Sequence, residues 1–331
     1  MFRSTLAVAA LVILSLAAPA TAQTAQQTAE PEAAAPLPRI RQRDVSEETL
    51  ASRSGLEYRI LLSIPRGPAP EGGFPVFYIL DGDAFFGFAA EVARMREWGH
   101  LTPSIIVGVS YPSRTFYDGP RRTYDFTPPG FLEEGFDPGE EGGADRFLAF
   151  LTEELKPWVA SRYSVDSDRQ ILFGHSLGGL FALHALYTAP ESFNIYLAAS
   201  PSIRLSDHFV VREASRFDEQ PEADRRAARA LVTVGTLEGG RPSVEQIDDY
   251  RRYFIANPQA TGGLEVEQVL RELFPYEPRF DKVGETRRLA RRLDRAGADV
   301  SFLALEGDEH VPAGFSALLH GIPFALRPSR R

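Results

Sequence analysis

Gly174-His175-Ser176-Leu177-Gly178 has the pattern G-x-S-x-G. An apolar β-rich run, Arg169 to Phe173, leads into it, and a helical run, Leu177 to Tyr187, leaves it. A serine between a strand and a helix sits on a tight, strained turn that exposes its hydroxyl as a nucleophile. The two glycines are expected to keep side chains from colliding with the neighbouring strand and helix. The helix start also turns backbone N–H groups and a partial positive charge toward the place where an oxyanion would develop.

A serine hydroxyl is a weak nucleophile and needs a base. The chain holds 6 histidines. His175 adjoins the serine, so its side chain points away into packing, and His184 falls inside the following helix as a core histidine. His100 and His208 sit in loops without a motif, and His320 falls near the end of the last helix. His310 is different: it follows the last strong strand pattern, Val300 to Leu305, in the loop Glu306-Gly307-Asp308-Glu309-His310, before a helix over Ala313 to His320. Serine, then acid, then histidine after the last strand is the chain order of the α/β-hydrolase triad.

The orienting acid is expected in the loop after the penultimate strand, Leu231 to Glu238. Glu238 is the best-placed carboxylate, with Asp248 and Asp249 in a helix behind it. A Ser–His dyad with no acid is the other reading. The Leu177 N–H is the first oxyanion donor, and the second belongs to Gly82 or Asp83 in Leu80-Asp81-Gly82-Asp83. There is no H-x-x-x-H or HEXXH pair, and no cofactor or metal is expected.

These residues require a scaffold of alternating strands and helices. Leu56–Ile64, Pro75–Leu80, Ser104–Ser110, Gln170–Phe173, Ile195–Ala199, Leu231–Val234 and Val300–Leu305 read as strands. Most are apolar on both faces, as in a mostly parallel sheet covered by helices on both sides. Helices are predicted at Ala84–Trp98, Ala144–Arg162 with Pro157 kinking or dividing it, Leu177–Tyr187 and Glu285–Arg295. Residues 111–143 and 242–278 fit the alternation poorly and read as loop insertions that could wall a substrate site.

The 331 residues are 44% hydrophobic and 24% charged, which is globular composition. A net charge of −9 gives no general footprint for nucleic acid. With no cysteine, disulfides, thiolate metal sites and cysteine nucleophiles are excluded. Met1-Phe2-Arg3, the apolar run Leu6 to Leu16 and Ala20-Thr21-Ala22 read as a cleaved secretory signal over residues 1–22. Residues 23–38 read as a flexible Ala/Gln/Pro leader, and 39–331 as one α/β domain. The expected location is periplasmic or secreted, without a membrane anchor after cleavage. The oligomeric state is left open.

Together PVFYILDGDAFF, SIIVGVSYP, RRTYDFTP, ILFGHSLGGLFALHAL, AASPSI, VTVGTLE and GDEHVP resemble the Putative esterase branch of the α/β-hydrolases, in particular its periplasmic enterobactin-type siderophore esterases. The resemblance runs from about Leu56 to Leu319 and is weak over Pro242–Pro278. It implies an α/β-hydrolase fold and a serine ester hydrolase acting on a small-molecule ester, trilactone siderophores among the candidates. Ser176 is then nucleophile and His310 base. Arg121, Arg122 and Asp125 of RRTYDFTP match a segment near the pocket, where Arg122 either grips substrate or pairs within the segment. The same Ser–His apparatus also serves acyltransferases and peptidases. A non-catalytic periplasmic ligand-binding protein is the alternative outside enzymes.

Overall fold

The computed structural model describes residues 42–97, 101–130, 142–239, 244–256, 266, 267, 270 and 281–327. The signal and leader segments and His100 lie outside the described residues. The chain divides into two compact units, Gln42–Gly239 with Asp281–Arg331, and Met1–Arg41 with Gly240–Phe280.

The larger unit is built on one eight-stranded sheet in the order β1-β2-β4-β3-β5-β6-β7-β8. The strands are β1 Val45–Ala51, β2 Glu57–Ser63, β3 Phe74–Ile79, β4 Ile105–Ser110, β5 Val165–His175, β6 Ile195–Ala199, β7 Arg229–Gly235 and β8 Asp299–Leu305. The first two are antiparallel, and the six from β4 to β8 run parallel. This is the expected α/β-hydrolase arrangement. β3, β4 and β7 are buried along their whole length, as continuous apolar runs require when helices cover both faces. β1 was not anticipated. Its sequence, VSEETLA, lies exposed on the sheet edge, where no apolar pattern is needed.

The helices are α1 Gly82–Glu97, α2 Gly119–Phe126, α3 Ala144–Ala149, α4 Lys156–Ala160, α5 Leu177–Thr188, α6 Leu205–Glu213, α7 Ser215–Asp218, α8 Glu222–Ala227, α9 Val244–Ala256, α10 Lys282–Ala296 and α11 His310–Leu326. Right-handed crossovers put α5 and α10 on one face of the sheet, because β5, β6, β7 and β8 follow one another in one direction. β3 to β4 steps the opposite way and carries α1 to the other face. There α1 and α11 bury Phe85, Phe86, Ala89, Ala313, Ala317, Leu318 and Ile322 against Phe77, Ile79, Phe173, Leu197 and Leu231.

Pro157 interrupts the α-helical ladder of its segment without ending the helix. Between α3 and α4 the chain passes through a π-helical stretch, Phe150–Leu155. Proline lacks an N–H and its ring crowds the carbonyl four residues back, so the ladder widens instead of ending. Where the sequence pattern predicts a loop insertion over 111–143, the described part holds α2, capped by the Asp118 side chain on the Arg121 N–H at 3.1 Å. In the smaller unit, α9 carries Asp248 and Asp249, which pair with Arg251 and Arg252 one turn on, and Arg251 also meets Glu267 at 2.6 Å. The remainder of 242–278 lies outside the described residues.

Candidate active site

In an open parallel sheet, residues that must converge are placed at the carboxyl ends of the strands. Ser176 follows β5, Ser200 and Ser202 follow β6, Glu238 follows β7, His310 follows β8, and Asp81–Gly82 follows β3. Side-by-side pairing of β3, β5, β6, β7 and β8 therefore brings five distant stretches of sequence to one edge.

Ser176 has φ 59° and ψ −117°, a left-handed backbone that costs a non-glycine residue about 1–3 kcal/mol. Its Oγ lies 2.9 Å from His310 Nε2 and 3.3 Å from Ser202 Oγ. The opposite nitrogen of the ring, Nδ1, lies 2.6 Å from Glu238 Oε2. Glu238 stands in a 3-10 turn, Thr236–Gly239, and its other oxygen accepts from the Gly235 N–H at 2.7 Å and the Ser200 hydroxyl at 2.5 Å. Burial disfavours the charge on Glu238, but His310 and the Lys282 ammonium outweigh it and hold the carboxyl well below the usual range. A hydroxyl, an imidazole and an ionised carboxylate thus form one line of hydrogen bonds. Such a line can take a proton from the serine and stabilise the resulting imidazolium. His310 is the first residue of α11, not a loop residue: the helix begins ahead of the expected Ala313.

The steric demand of the elbow is distributed unevenly. A Cβ at Gly174 would lie 2.0 Å from the Gly178 carbonyl oxygen, an impossible contact. A Cβ at Gly178 would meet nothing nearer than 3.6 Å, ordinary packing against Leu80 and Asp81. The second demanding position is Gly179, where a Cβ would come within 2.8 Å of the Ala199 carbonyl oxygen. The expected collision at Gly178 is therefore displaced by one residue.

Leu177 opens α5, and Gly82 and Asp83 open α1. First-turn N–H groups have no carbonyl within their own helix and are available to an incoming oxygen. A Cβ at Gly82 would lie 2.5 Å from Ser110 Oγ, so this helix start approaches β4 as only glycine can. The Asp83 carboxylate is turned onto Arg59 at 2.9 and 3.0 Å.

Arg122 gives Nε and Nη2 to the two carboxylate oxygens of Asp81, each at 3.0 Å, and its guanidinium lies 4.5 Å from the Tyr117 ring centroid. It does pair, but with Asp81 and not with Asp125. Arg121 lies 3.8 Å from Asp125 and 5.1 Å from the rings of Tyr58 and Tyr111. His175 and His184 are buried, as expected. His184 is held between Glu213 at 2.8 Å and Asp145 at 2.9 Å. His208 falls within α6, and His320 is exposed on α11.

Three contributors were not singled out from sequence: Ser200, Ser202 and Lys282. The serines lie in the AASPSI stretch after β6, at the same strand ends as Ser176. Lys282 carries an audible signal, a cation directly after the N-cap Asp281, where a helix dipole favours an acid. Among the described residues no group of three or more His, Asp or Glu side chains is placed to hold a metal ion. No helix among them is long and apolar enough to cross a membrane.

Known proteins share this framework. The crystal structure of BES protein from Bacillus cereus superposes with a TM-score of 0.70 at 29% identity, over 89% of this chain and 99% of that one. The siderophore hydrolase EstA from Aspergillus nidulans gives 0.67 at 29%, over 87% and 97%. In sequence, the chain is 36% identical over 191 residues to ferri-bacillibactin esterase BesA of Bacillus subtilis (strain 168), covering 55% of this chain and 66% of the relative. It is 40% identical over 192 residues to the siderophore enterobactin esterase of Emericella nidulans, covering 53% and 63%. These alignments span slightly less than two thirds of each curated relative's length. The Putative esterase family profile matches residues 51–248, taking in the Ser176 elbow and Glu238. That span, well over half of the chain and carried on the same sheet, makes this protein a member of the Putative esterase family.

Proposed function

We propose that the protein is an exported serine hydrolase that cleaves carboxylic esters through an acyl-enzyme, with siderophore esters as its substrate class. The observation that carries the reading is the continuous line Ser176 Oγ, His310 and Glu238, at 2.9 and 2.6 Å, on a strained elbow. The siderophore esterases among its relatives direct the choice of ester, and the N-terminal signal pattern supports export.

His310 Nε2 takes the proton as Ser176 Oγ attacks the ester carbonyl carbon. The resulting oxyanion accepts from the Leu177 N–H and from the N–H of Gly82 or Asp83, worth about 3 kcal/mol per donor. The imidazolium then protonates the leaving alkoxide as the carbon–oxygen ester bond breaks. Water, deprotonated by the same imidazole, attacks the acyl-enzyme and releases acid and free serine. Glu238 holds the ring orientation and offsets its transient charge throughout.

The test is a fluorophosphonate followed by peptide mass spectrometry, then an ester panel that includes ferric and iron-free trilactone siderophores. Stoichiometric labelling at Ser176, absent in His310→Ala, and turnover abolished in Ser176→Ala are expected. A folded protein left unlabelled would overturn the reading.

A further inference from the structure

Lys282 is out of place by every local rule. It stands at the start of α10, directly after the N-cap Asp281, where the helix dipole opposes a cation. Its side chain is 11% exposed, and burial pushes its ammonium down from the ordinary lysine range, against the pull of Glu238. A sequence that breaks local rules without repair usually does so at a working site.

Lys282 Nζ lies 2.5 Å from Glu238 Oε2, the same oxygen that takes His310 Nδ1 at 2.6 Å. With the Gly235 N–H and the Ser200 hydroxyl on Oε1, this carboxylate has four donors. It is fixed in one rotamer with its charge largely spent. Lys282 Nζ is also 3.4 Å from His310 Nδ1. When Nδ1 bears its proton, both atoms are donors, so the contact is not a hydrogen bond. It becomes a contact between like charges once the imidazole is protonated. His175, from β5, faces the His310 ring with centroids 4.7 Å apart and stays neutral. Asp308 and Glu309 precede it on its own segment.

We propose that Lys282 is a positioning residue that locks Glu238 and offsets its charge at His310, so that the site keeps working at lower pH than a carboxylate–histidine pair without the lysine. This rests on the serine-hydrolase reading above and deepens it by adding a positioning residue to the same site. A bare carboxylate at this distance favours the protonated imidazole, which cannot act as base. An ammonium on the same carboxylate oxygen cancels much of that effect.

The experiment follows the second-order rate of fluorophosphonate inactivation against pH, for the wild type, Lys282→Met, Lys282→Gln and Lys282→Arg, each checked for folding by circular dichroism. Gln keeps a donor for Glu238 without the charge, and serves where Met fails to fold. The acid limb should move up by about one pH unit in Met and Gln and return in Arg. A limb unmoved in folded Met or Gln overturns the proposal. So does a folded variant inert at every pH, because the ammonium would then be needed in the chemistry itself. If the wild type is not labelled at Ser176 at all, it is the serine-hydrolase reading that falls. A labelled wild type with an unmoved limb removes the role of Lys282 alone.

Discussion

His175 donates its Nε2–H to the carbonyl oxygen of His310 at 2.7 Å, so the residue before the serine holds the backbone of the base. Burial, with the nearby His310, pushes the His175 imidazole down to about 3, and it is neutral at working pH. Its Nδ1 is then free to accept from the Tyr117 hydroxyl at 3.4 Å. Replacing His175 by Phe keeps a ring of similar size but removes this donor from the His310 carbonyl, at a cost of about 1 kcal/mol. We expect a lower thermal midpoint and a kcat reduced at least tenfold with KM little changed. An unchanged kcat would mean that the start of α11 is held by other contacts.

Glu238→Gln keeps the size of the side chain and removes its charge. The imidazolium then forms without its counter-charge, and kcat on an ester substrate should fall about 10²–10⁴-fold. Steady-state kinetics with substrate well above KM reads this directly. A loss under tenfold would mean that Ser176 and His310 work as a dyad.

The elbow glycines should separate cleanly. Gly174→Ala and Gly179→Ala each force a side chain into backbone oxygen, and should yield insoluble or strongly destabilised protein. Gly178→Ala meets only ordinary contacts and should fold with a thermal midpoint near that of the wild type. Soluble expression and melting curves of the three variants check this.

Arg122→Met removes the partner of Asp81, whose carboxylate is only 1% exposed. Breaking a buried pair costs about 3–5 kcal/mol. Burial raises the Asp81 carboxyl above its ordinary value even with Arg122 opposing. The folded variant therefore binds a proton more readily than the unfolded chain, and its stability should fall as pH rises. Urea unfolding at pH 5 and pH 8 should show the larger deficit at pH 8. A surface arginine serving substrate alone would show no deficit at either.

His184 contributes a pH dependence of the opposite chemical origin. Burial disfavours its imidazolium, but Asp145 and Glu213 outweigh this and raise its value above the ordinary histidine range. A raised folded value means stability present in full below about pH 6.5 and lost as pH climbs through the folded value. The tie joins α5 to α3 and α6. The wild type should lose stability across that window in denaturant titrations, and His184→Gln should flatten the slope.

Much of this protein was legible in its residues taken in order. Seven of the eight strands of the described sheet announce themselves, most of them as short apolar runs, because strands covered on both faces must be apolar throughout. Ser176, Glu238 and His310 could be picked out because each follows a strand at a recognisable point in the chain. β1 escaped because an exposed edge strand needs no apolar pattern. The π-helical stretch ahead of Pro157 escaped because it leaves no compositional mark. What the tertiary structure alone decided is which side chains meet. Arg122 pairs with Asp81, 41 positions away, Lys282 with Glu238, and His175 with the backbone of His310. These pairings depend on strand order in the sheet and on which helix starts fall side by side. Neither is encoded in the local periods of a sequence, because period reports which face is buried and not what it is buried against.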